Sequence, residues 1–218
     1  IVVNGKAVNS VNYADILGDG ALSYDKNTNT LSLNKSYTDD GPYIKNLTIN
    51  APNTIVDLNG GIYSALQGKL VIEDAADVTL TSTESRAVFG DANITCTGKL
   101  RITCESLAVD GNLTVNNASS VELIGKNGNG GTVNGAAVFN NTGAVIIRNT
   151  DASAKGAARS ISYSGDYVYY TAEGGALNDP RITRIAADAN YLYIVPSKLH
   201  SITVPEGCSY KVENRDDL

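Results

Sequence analysis

The chain has 218 residues, of which 18% are charged, and its formal net charge is −6 at pH 7. Nucleic acid and anionic membrane surfaces attract basic patches, so this charge balance argues against both as partners. The sequence contains no run of about 18 apolar residues, and we therefore predict that the chain does not insert into a membrane.

Residues 1–40 predict a cap at one end of the fold. An apolar stretch at residues 1–3, followed by Asn-Gly, indicates a strand and a turn. Residues 12–17 are expected to form a helical turn. The segments 21–24 and 31–33 flank a polar stretch rich in Asn and Asp, which is typical of a β-hairpin.

The same block carries turn and strand residues in an order that we recognise. They are Val3-x-Gly5, Val8, Asn12, Asp15-Ile16-Leu17-Gly18-Asp19-Gly20, Ser23-Tyr24-Asp25 and Asn29-Thr30-Leu31-x-Leu33-Asn34. This order resembles the opening of a family of secreted β-helix domains from cell-surface proteins of anaerobic, often gut-dwelling, bacteria, commonly labelled carbohydrate-binding or uncharacterised. The resemblance covers residues 1–34, and beyond them only the pattern of short strands. It implies a β-helix, an extracellular or cell-surface location and contact with glycans.

A repeat of about 23 residues runs through most of the remaining chain. Residues 68–80 recur as residues 111–123, two periods later, with every apolar position kept. A fixed period in this range is typical of stacked units, because no single unit can bury its own apolar face. The repeat therefore predicts a solenoid.

Each unit contains short strands, visible as two apolar residues with one residue between them. The first strand series is Val78-x-Leu80, Leu100-x-Ile102, Val121-x-Leu123, Val145-x-Ile147 and Val168-x-Tyr170. The second series is Leu47-x-Ile49, Leu70-x-Ile72, Ile94-x-Cys96, Leu113-x-Val115, Val138 and Ile161-x-Tyr163. A third, weaker series passes through Ile62, Val88, Leu107-x-Val109 and Val133.

These series predict an all-β fold, a right-handed, single-stranded parallel β-helix of about seven coils of 22–24 residues with terminal caps. A propeller blade would need about 40 residues, and a leucine-rich repeat would need a helical return. We assign residues 1–40 to an N-terminal capping hairpin, 41–195 to the β-helix and 196–218 to a C-terminal strand or cap extension of one structural domain. Asn116-Asn117 and Asn140-Asn141 fall at equivalent turns and are predicted to stack.

Three cysteines and one histidine leave almost no ligands for a zinc site. Cys96 and Cys104 lie at inward positions of successive strands, where a free thiol behaves as a small buried apolar side chain. We favour that state, while a disulfide between the two stays open, as does the role of Cys208.

A β-helix lyase would bring about three carboxylates together from adjacent coils, with an arginine or lysine beside them. The outward residues of the first series are Thr79, Arg101, Glu122, Ile146 and Tyr169, and those of the second are Thr48, Val71, Thr95, Thr114 and Ser162. Neither set gathers acids, which lie at turns instead, at Glu73, Asp74, Asp77, Asp91, Glu105 and Asp110.

We interpret the turn acids as caps and Arg101 with Glu122 as a cross-coil ion pair. We predict no catalytic residue, no metal site and no cofactor, with calcium at the turn acids as an alternative.

The tyrosines point to a binding surface. Seven of the twelve lie between positions 163 and 210, and two Tyr-x-Tyr pairs are separated by 24 residues, one coil length. With Val168, Leu192 and Ile194 inward, the predicted glycan platform consists of Tyr167, Tyr169, Tyr191 and Tyr193. Tyrosine rings suit both the apolar faces and the hydroxyls of sugars. The alternative is that these rings only cover the last coil.

We therefore predict a non-catalytic, extracellular β-helix module from a bacterial surface or secreted protein that binds carbohydrate. A polysaccharide lyase or hydrolase of the β-helix type and a structural or adhesive spacer are the alternatives. The expected partner is a carbohydrate or a surface protein, and the expected oligomeric state is a monomer.

Overall fold

The computed structural model describes residues 2–3, 5–35, 37–39, 47–59, 69–83, 86–126, 131–151, 156–171 and 189–197, with only the backbone described at 37–39 and 59. These residues form eighteen strands and no helix. The first nine are β1 Val2–Val3, β2 Lys6–Ala7, β3 Leu22–Asp25, β4 Thr30–Leu33, β5 Tyr37–Asp39, β6 Thr48–Asn50, β7 Ile55–Asn59, β8 Leu70–Ala75 and β9 Asp77–Ser82. The others are β10 Ala92–Cys96, β11 Lys99–Cys104, β12 Leu113–Asn116, β13 Ser120–Gly125, β14 Val133–Asn140, β15 Ala144–Asn149, β16 Ala158–Tyr163, β17 Tyr167–Tyr170 and β18 Tyr191–Pro196.

The strands build two eight-stranded sheets that the chain visits in turn. Sheet 1 has the order β16-β14-β12-β10-β8-β6-β4-β3, and sheet 2 has the order β17-β18-β15-β13-β11-β9-β7-β5. All neighbouring pairs from β4 to β16 in sheet 1 and from β5 to β15 in sheet 2 are parallel. The result is a parallel β-solenoid of about five turns, which confirms the predicted fold class. Its right-handed winding and the count of seven coils stay predictions.

The core lies between the sheets and consists of columns of like residues. In sheet 2 one column is Val56, Val78, Leu100, Val121 and Val145, and the next is Leu58, Leu80, Ile102, Leu123 and Ile147. All ten side chains are buried. Side chains alternate between the two faces of a strand, so an i, i+2 apolar pair fills two adjacent columns. The first strand series is confirmed as far as Ile147.

Sheet 1 corrects two details of the second series. Ile94, rather than Cys96, stands level with Ile72, because Ala92 pairs with Leu70; beyond Ile94 the register shifts, and Cys96 stands opposite Ala75. Val138 is half-buried and faces outward, whereas its neighbour Phe139 is 0% exposed. Only one of two adjacent strand residues can face the core, and the larger phenyl ring occupies that position.

The third series forms a narrow corner between the sheets. Val88 bridges to Val109, and Val109 bridges to Val133, both in parallel, and all three are buried. This confirms the described part of the series, while Ile62 lies outside the described residues.

The predicted asparagine stack is present at the turns after sheet 1. Asn140 Nδ2 donates to Asn116 Oδ1 at 3.0 Å, and Asn141 Nδ2 donates to Asn117 Oδ1 at 3.0 Å. Asn117 and Asn141 have φ values of 63° and 50°, in the left-handed region that asparagine tolerates better than most residues. Side-chain amides therefore link successive coils where the backbone leaves the sheet.

The N-terminal cap contains the predicted strands but not the predicted helical turn. β1 pairs with β2, and β3 pairs with β4 as an antiparallel hairpin that starts sheet 1. Residues 12–17 form turns and bends instead of helix. The Asp15 carboxylate accepts hydrogen bonds from the backbone N–H groups of Gly18, Asp19 and Gly20, a local alternative to helical bonding.

The C-terminal end departs from the repeat. β18 lies between β15 and β17 and is antiparallel to both. The prediction that Val168-x-Tyr170 stacks directly on Val145-x-Ile147 is therefore wrong, since a returning strand separates them. The C-terminal extension, with His200 and Cys208, lies outside the described residues apart from 196–197. Within the part of the chain that is described, no helix reaches the length and apolarity needed to cross a bilayer.

Candidate functional site: an outward tyrosine face

The inserted strand decides which tyrosines face outward. Across the β15–β18 pair, Val145 stands opposite Ile194 and Ile146 opposite Tyr193. Across the β18–β17 pair, Ile194 stands opposite Tyr169 and Tyr193 opposite Tyr170. Residues opposite one another share a face of the sheet, so Tyr169 belongs to the core column of Val145.

The burial of Tyr169 follows from this register. It is 4% exposed and packs in the core, and the prediction that it is exposed is wrong. Val168, predicted to be buried, is half-buried. The repeat placed β17 one period after β15, but pairing through β18 moves β17 by one residue, and a one-residue slip exchanges the two faces of a strand.

The second Tyr-x-Tyr pair has the predicted orientation. Leu192 and Ile194 are both 0% exposed, and Tyr191 and Tyr193 are half-buried above them. Tyr170, which the first strand series predicts to face inward, joins these two on the outer surface. We call Tyr170, Tyr191 and Tyr193, together with Ile146 and Arg148 of β15, the tyrosine face.

Specific contacts order the rings of the tyrosine face. Tyr170 and Tyr193 stack across the strand pair with centroids 5.9 Å apart and ring planes at 26°. The Arg148 guanidinium lies 5.5 Å from the centroid of the Tyr191 ring, within the range of a cation–π contact. The face therefore combines aromatic surface, phenol hydroxyls, an aliphatic side chain and a positive charge.

A second group of tyrosines closes the end of the core. Tyr163 and Tyr167 meet edge to face at 5.7 Å, and Tyr167 lies 6.4 Å from Tyr169. The Tyr163 hydroxyl donates to the backbone carbonyls of Thr142 and Gly143, and burial raises its pKa. For this group the alternative interpretation holds, because the rings cover the last coil.

The turn acids bond to neighbouring coils. The Asp77 carboxylate accepts from the backbone N–H of Lys99 at 2.6 Å, and that of Asp91 accepts from Asn112 N–H at 2.7 Å. Asp110 forms an ion pair of 3.0 Å with Arg86 and accepts from Asn134 Nδ2 at 3.0 Å. Within the described ranges no three histidine, cysteine or acidic residues group into a possible metal site. These carboxylates act as caps between coils, as predicted.

Two other sequence predictions concern side-chain pairs. Arg101 Nε lies 3.0 Å from Glu122 Oε2 on the outer face of sheet 2, so the cross-coil ion pair is confirmed. Cys96 and Cys104 are free, buried thiols, which confirms the favoured state over a disulfide. Burial raises the pKa of each thiol to about 11.

Sequence analysis missed Tyr170 and Arg148 as members of the site. The outward position of Arg148 follows from the first strand series, since it comes directly after the inward Ile147. Tyr170 carries no such signal. The run from Tyr167 to Tyr170 has aromatic rings in both phases, and the choice between them depends on β18, which is 20 or more residues away in sequence.

Comparison of the chain with protein-family models, with curated proteins and with solved structures gave no match.

Proposed function

We propose that this β-solenoid is a non-catalytic carbohydrate-binding module of a secreted or cell-surface bacterial protein, and that it contacts glycan through the tyrosine face. The observation that carries the proposal is the stacked pair Tyr170 and Tyr193 beside Tyr191, on the outside of the two adjacent strands β17 and β18. Leu192 and Ile194 already fill the core beneath these rings, so packing does not require aromatic residues on the outer side.

The chemistry of the face suits a sugar polymer. Aromatic rings cover the apolar faces of pyranose rings, and phenol hydroxyls and a guanidinium bond to sugar hydroxyls. The three rings lie on two neighbouring strands about 4.8 Å apart, one on β17 and two on β18, and together provide a contact area for more than one sugar unit. Sheet strands also hold the rings in place, so little ordering is needed when ligand binds.

The resemblance of residues 1–34 to secreted β-helix domains supports the extracellular location and the ligand class. The capping role of Asp77, Asp91 and Asp110 supports binding over catalysis, because each carboxylate bonds to a neighbouring coil. A β-helix lyase or hydrolase and a spacer that binds a protein partner are the other outcomes that the experiment must separate.

The experiment is retention of the purified protein on immobilised polysaccharides, with analysis of the supernatant. The panel contains polygalacturonate, alginate, xylan, mannan, cellulose and starch. We expect retention on at least one polymer without release of new reducing ends or unsaturated products. Turnover would indicate the enzyme, and absence of both retention and turnover would indicate the spacer.

Variants locate the contact. Tyr170→Ala combined with Tyr193→Ala should abolish retention, since it removes the stacked pair. The matched control is Thr79→Ala combined with Glu122→Ala, which alters the same outward column further along sheet 2. Retention that survives loss of both tyrosines would contradict the assignment of the tyrosine face.

A further inference from the structure

A cleft of about 750 Å³ opens in the N-terminal cap, at the other end of the solenoid from the tyrosine face. It lies between the turn that follows β2 and the β3–β4 hairpin, and its lining includes Tyr13, Tyr24, Ser23, Ser32 and Asn27. This volume is within the range of pockets that hold small-molecule ligands, about 300–1,000 Å³.

Hydrogen bonds hold the backbone of Tyr13 and the ring of Tyr24 at the cleft. The N–H of Tyr24 donates to the carbonyl of Tyr13 at 2.7 Å, which ties the turn to the hairpin. The Tyr24 hydroxyl donates to Asn29 Oδ1, which fixes the orientation of that ring. Tyr13 is 53% exposed, a large fraction for an aromatic side chain that has a core nearby. The cleft thus has an oriented ring, Tyr24, and a second aromatic side chain, Tyr13, that folding leaves open to solvent.

The remaining lining combines two small apolar residues, Val8 and Ala14, with polar residues, and its charges are balanced. Ser23 and Ser32 stand opposite each other across the hairpin, and Asp25 and Lys26 contribute one charge of each sign. The Asp25 carboxylate accepts from Asn27 N–H at 2.8 Å, and this backbone bond is the main reason that its pKa is lowered. Because the Asp25 carboxylate is already hydrogen-bonded within the turn, the lining favours a neutral ligand with many hydroxyls over a cation or an anion.

We propose that this cleft is a second binding site, independent of the tyrosine face, that takes a neutral sugar ring. The apolar face of the sugar packs on Tyr13, and the serine hydroxyls and the Asn27 amide bond to its hydroxyl groups. The two ends of the solenoid then carry different sites, an extended surface for a polymer and a concave cleft for a single sugar residue or chain end.

The experiment is saturation-transfer NMR and calorimetric titration of the protein with the methyl glycosides of glucose, galactose and mannose. We expect saturable binding of at least one of them, and weaker binding of glucuronate. Tyr13→Ala should weaken binding about tenfold or more. Val11→Ala is the matched control, since Val11 is 91% exposed on the same turn and does not line the cleft. The Val11→Ala variant should bind the methyl glycosides with the affinity of the wild type.

A second variant keeps the test independent of Tyr13. Ser32→Gln fills part of the cleft with a larger side chain and keeps both tyrosine rings, and it too should block binding. The proposal is overturned if no methyl glycoside binds, or if binding survives both Tyr13→Ala and Ser32→Gln. The Tyr170→Ala, Tyr193→Ala variant should bind the methyl glycosides like the wild type. The two experiments therefore distinguish a cleft that does not bind sugar from a tyrosine face that does not bind polysaccharide.

Discussion

In the middle of the solenoid and at its C-terminal end, side chains alternate between the two faces of the sheet in the same way. The two regions differ in what sets the register of the strands. Between β7 and β15, each strand of sheet 2 pairs with the strand one period away, so Val78, Leu100 and Val121 share one column. At the end, β18 returns antiparallel and separates β15 from β17. The column is then continued by Ile194 and Tyr169.

This comparison shows under which condition the sequence period alone predicts the face of the sheet on which a side chain lies. A period assigns the faces only while the next strand in sequence is also the next strand in space. An inserted strand resets the register, and a reset by one residue brings Tyr169 into the core and leaves Tyr170 outside. The membership of the tyrosine face is set by this one-residue difference.

The largest effect is expected in the regular, parallel part of the stack, at β14. Among the described residues Phe139 is the largest fully buried side chain, and Phe139→Ala should lower the free energy of unfolding by about 3–5 kcal/mol. Val138→Ala, one residue away on the outer face, should cost less than about 1 kcal/mol. Urea unfolding followed by circular dichroism measures both. Equal losses would mean that the two faces of β14 are assigned wrongly.

A matched pair of variants at the C-terminal end tests the one-residue shift in register. Tyr169→Ala should cost about 3 kcal/mol, because it empties a core position, whereas Tyr170→Ala should cost about 1 kcal/mol or less. Thermal unfolding of the two variants measures the difference. If Tyr170→Ala proved the more damaging, the uninterrupted 23-residue repeat would describe this end better than the inserted strand does.

The asparagine stack should contribute a smaller amount. Asn116 donates to Asn93 Oδ1 at 3.0 Å and accepts from Asn140 Nδ2 at 3.0 Å, so Asn116→Ala leaves two part-buried amides without this partner. We expect a loss of about 1–3 kcal/mol in the free energy of unfolding. Asn117→Gly is the control, since Asn117 is exposed and glycine adopts its positive φ readily. That variant should lose little, and a loss equal to that of Asn116→Ala would contradict the ranking.

The smallest effect concerns pH. Burial raises the pKa of Cys96 and Cys104 from 9.0 to about 11, so the folded state holds its thiol protons to higher pH than the unfolded chain does. The thiols' contribution is complete below pH 9 and is lost as pH rises to about 11, by roughly 1 kcal/mol per thiol at pH 10. Urea midpoints in reductant should therefore fall less steeply between pH 8 and 10 in the Cys96→Ala, Cys104→Ala variant. Identical slopes would show that the thiols are accessible to solvent.

Most of the architecture could be predicted from the sequence, because the columns of Val78 and Leu80 repeat with few interruptions. Val138 was misassigned because Phe139 beside it is also apolar, and a period of two cannot choose between neighbours. Tyr169 was misassigned because its face is set by β18, a contact between segments that no local pattern encodes. The cleft at Tyr13 and Tyr24 was missed because it arises where a turn meets a hairpin in space.

The most direct test of the tyrosine face is hydroxyl-radical footprinting with mass spectrometry, resolved to single residues. The register predicts that Tyr170, Tyr191 and Tyr193 are oxidised while Tyr169 is protected, and that the polysaccharide that retains the protein protects the first three. Oxidation of Tyr169 at the rate of Tyr170, or unchanged oxidation of Tyr170, Tyr191 and Tyr193 in the presence of that polysaccharide, would contradict the account.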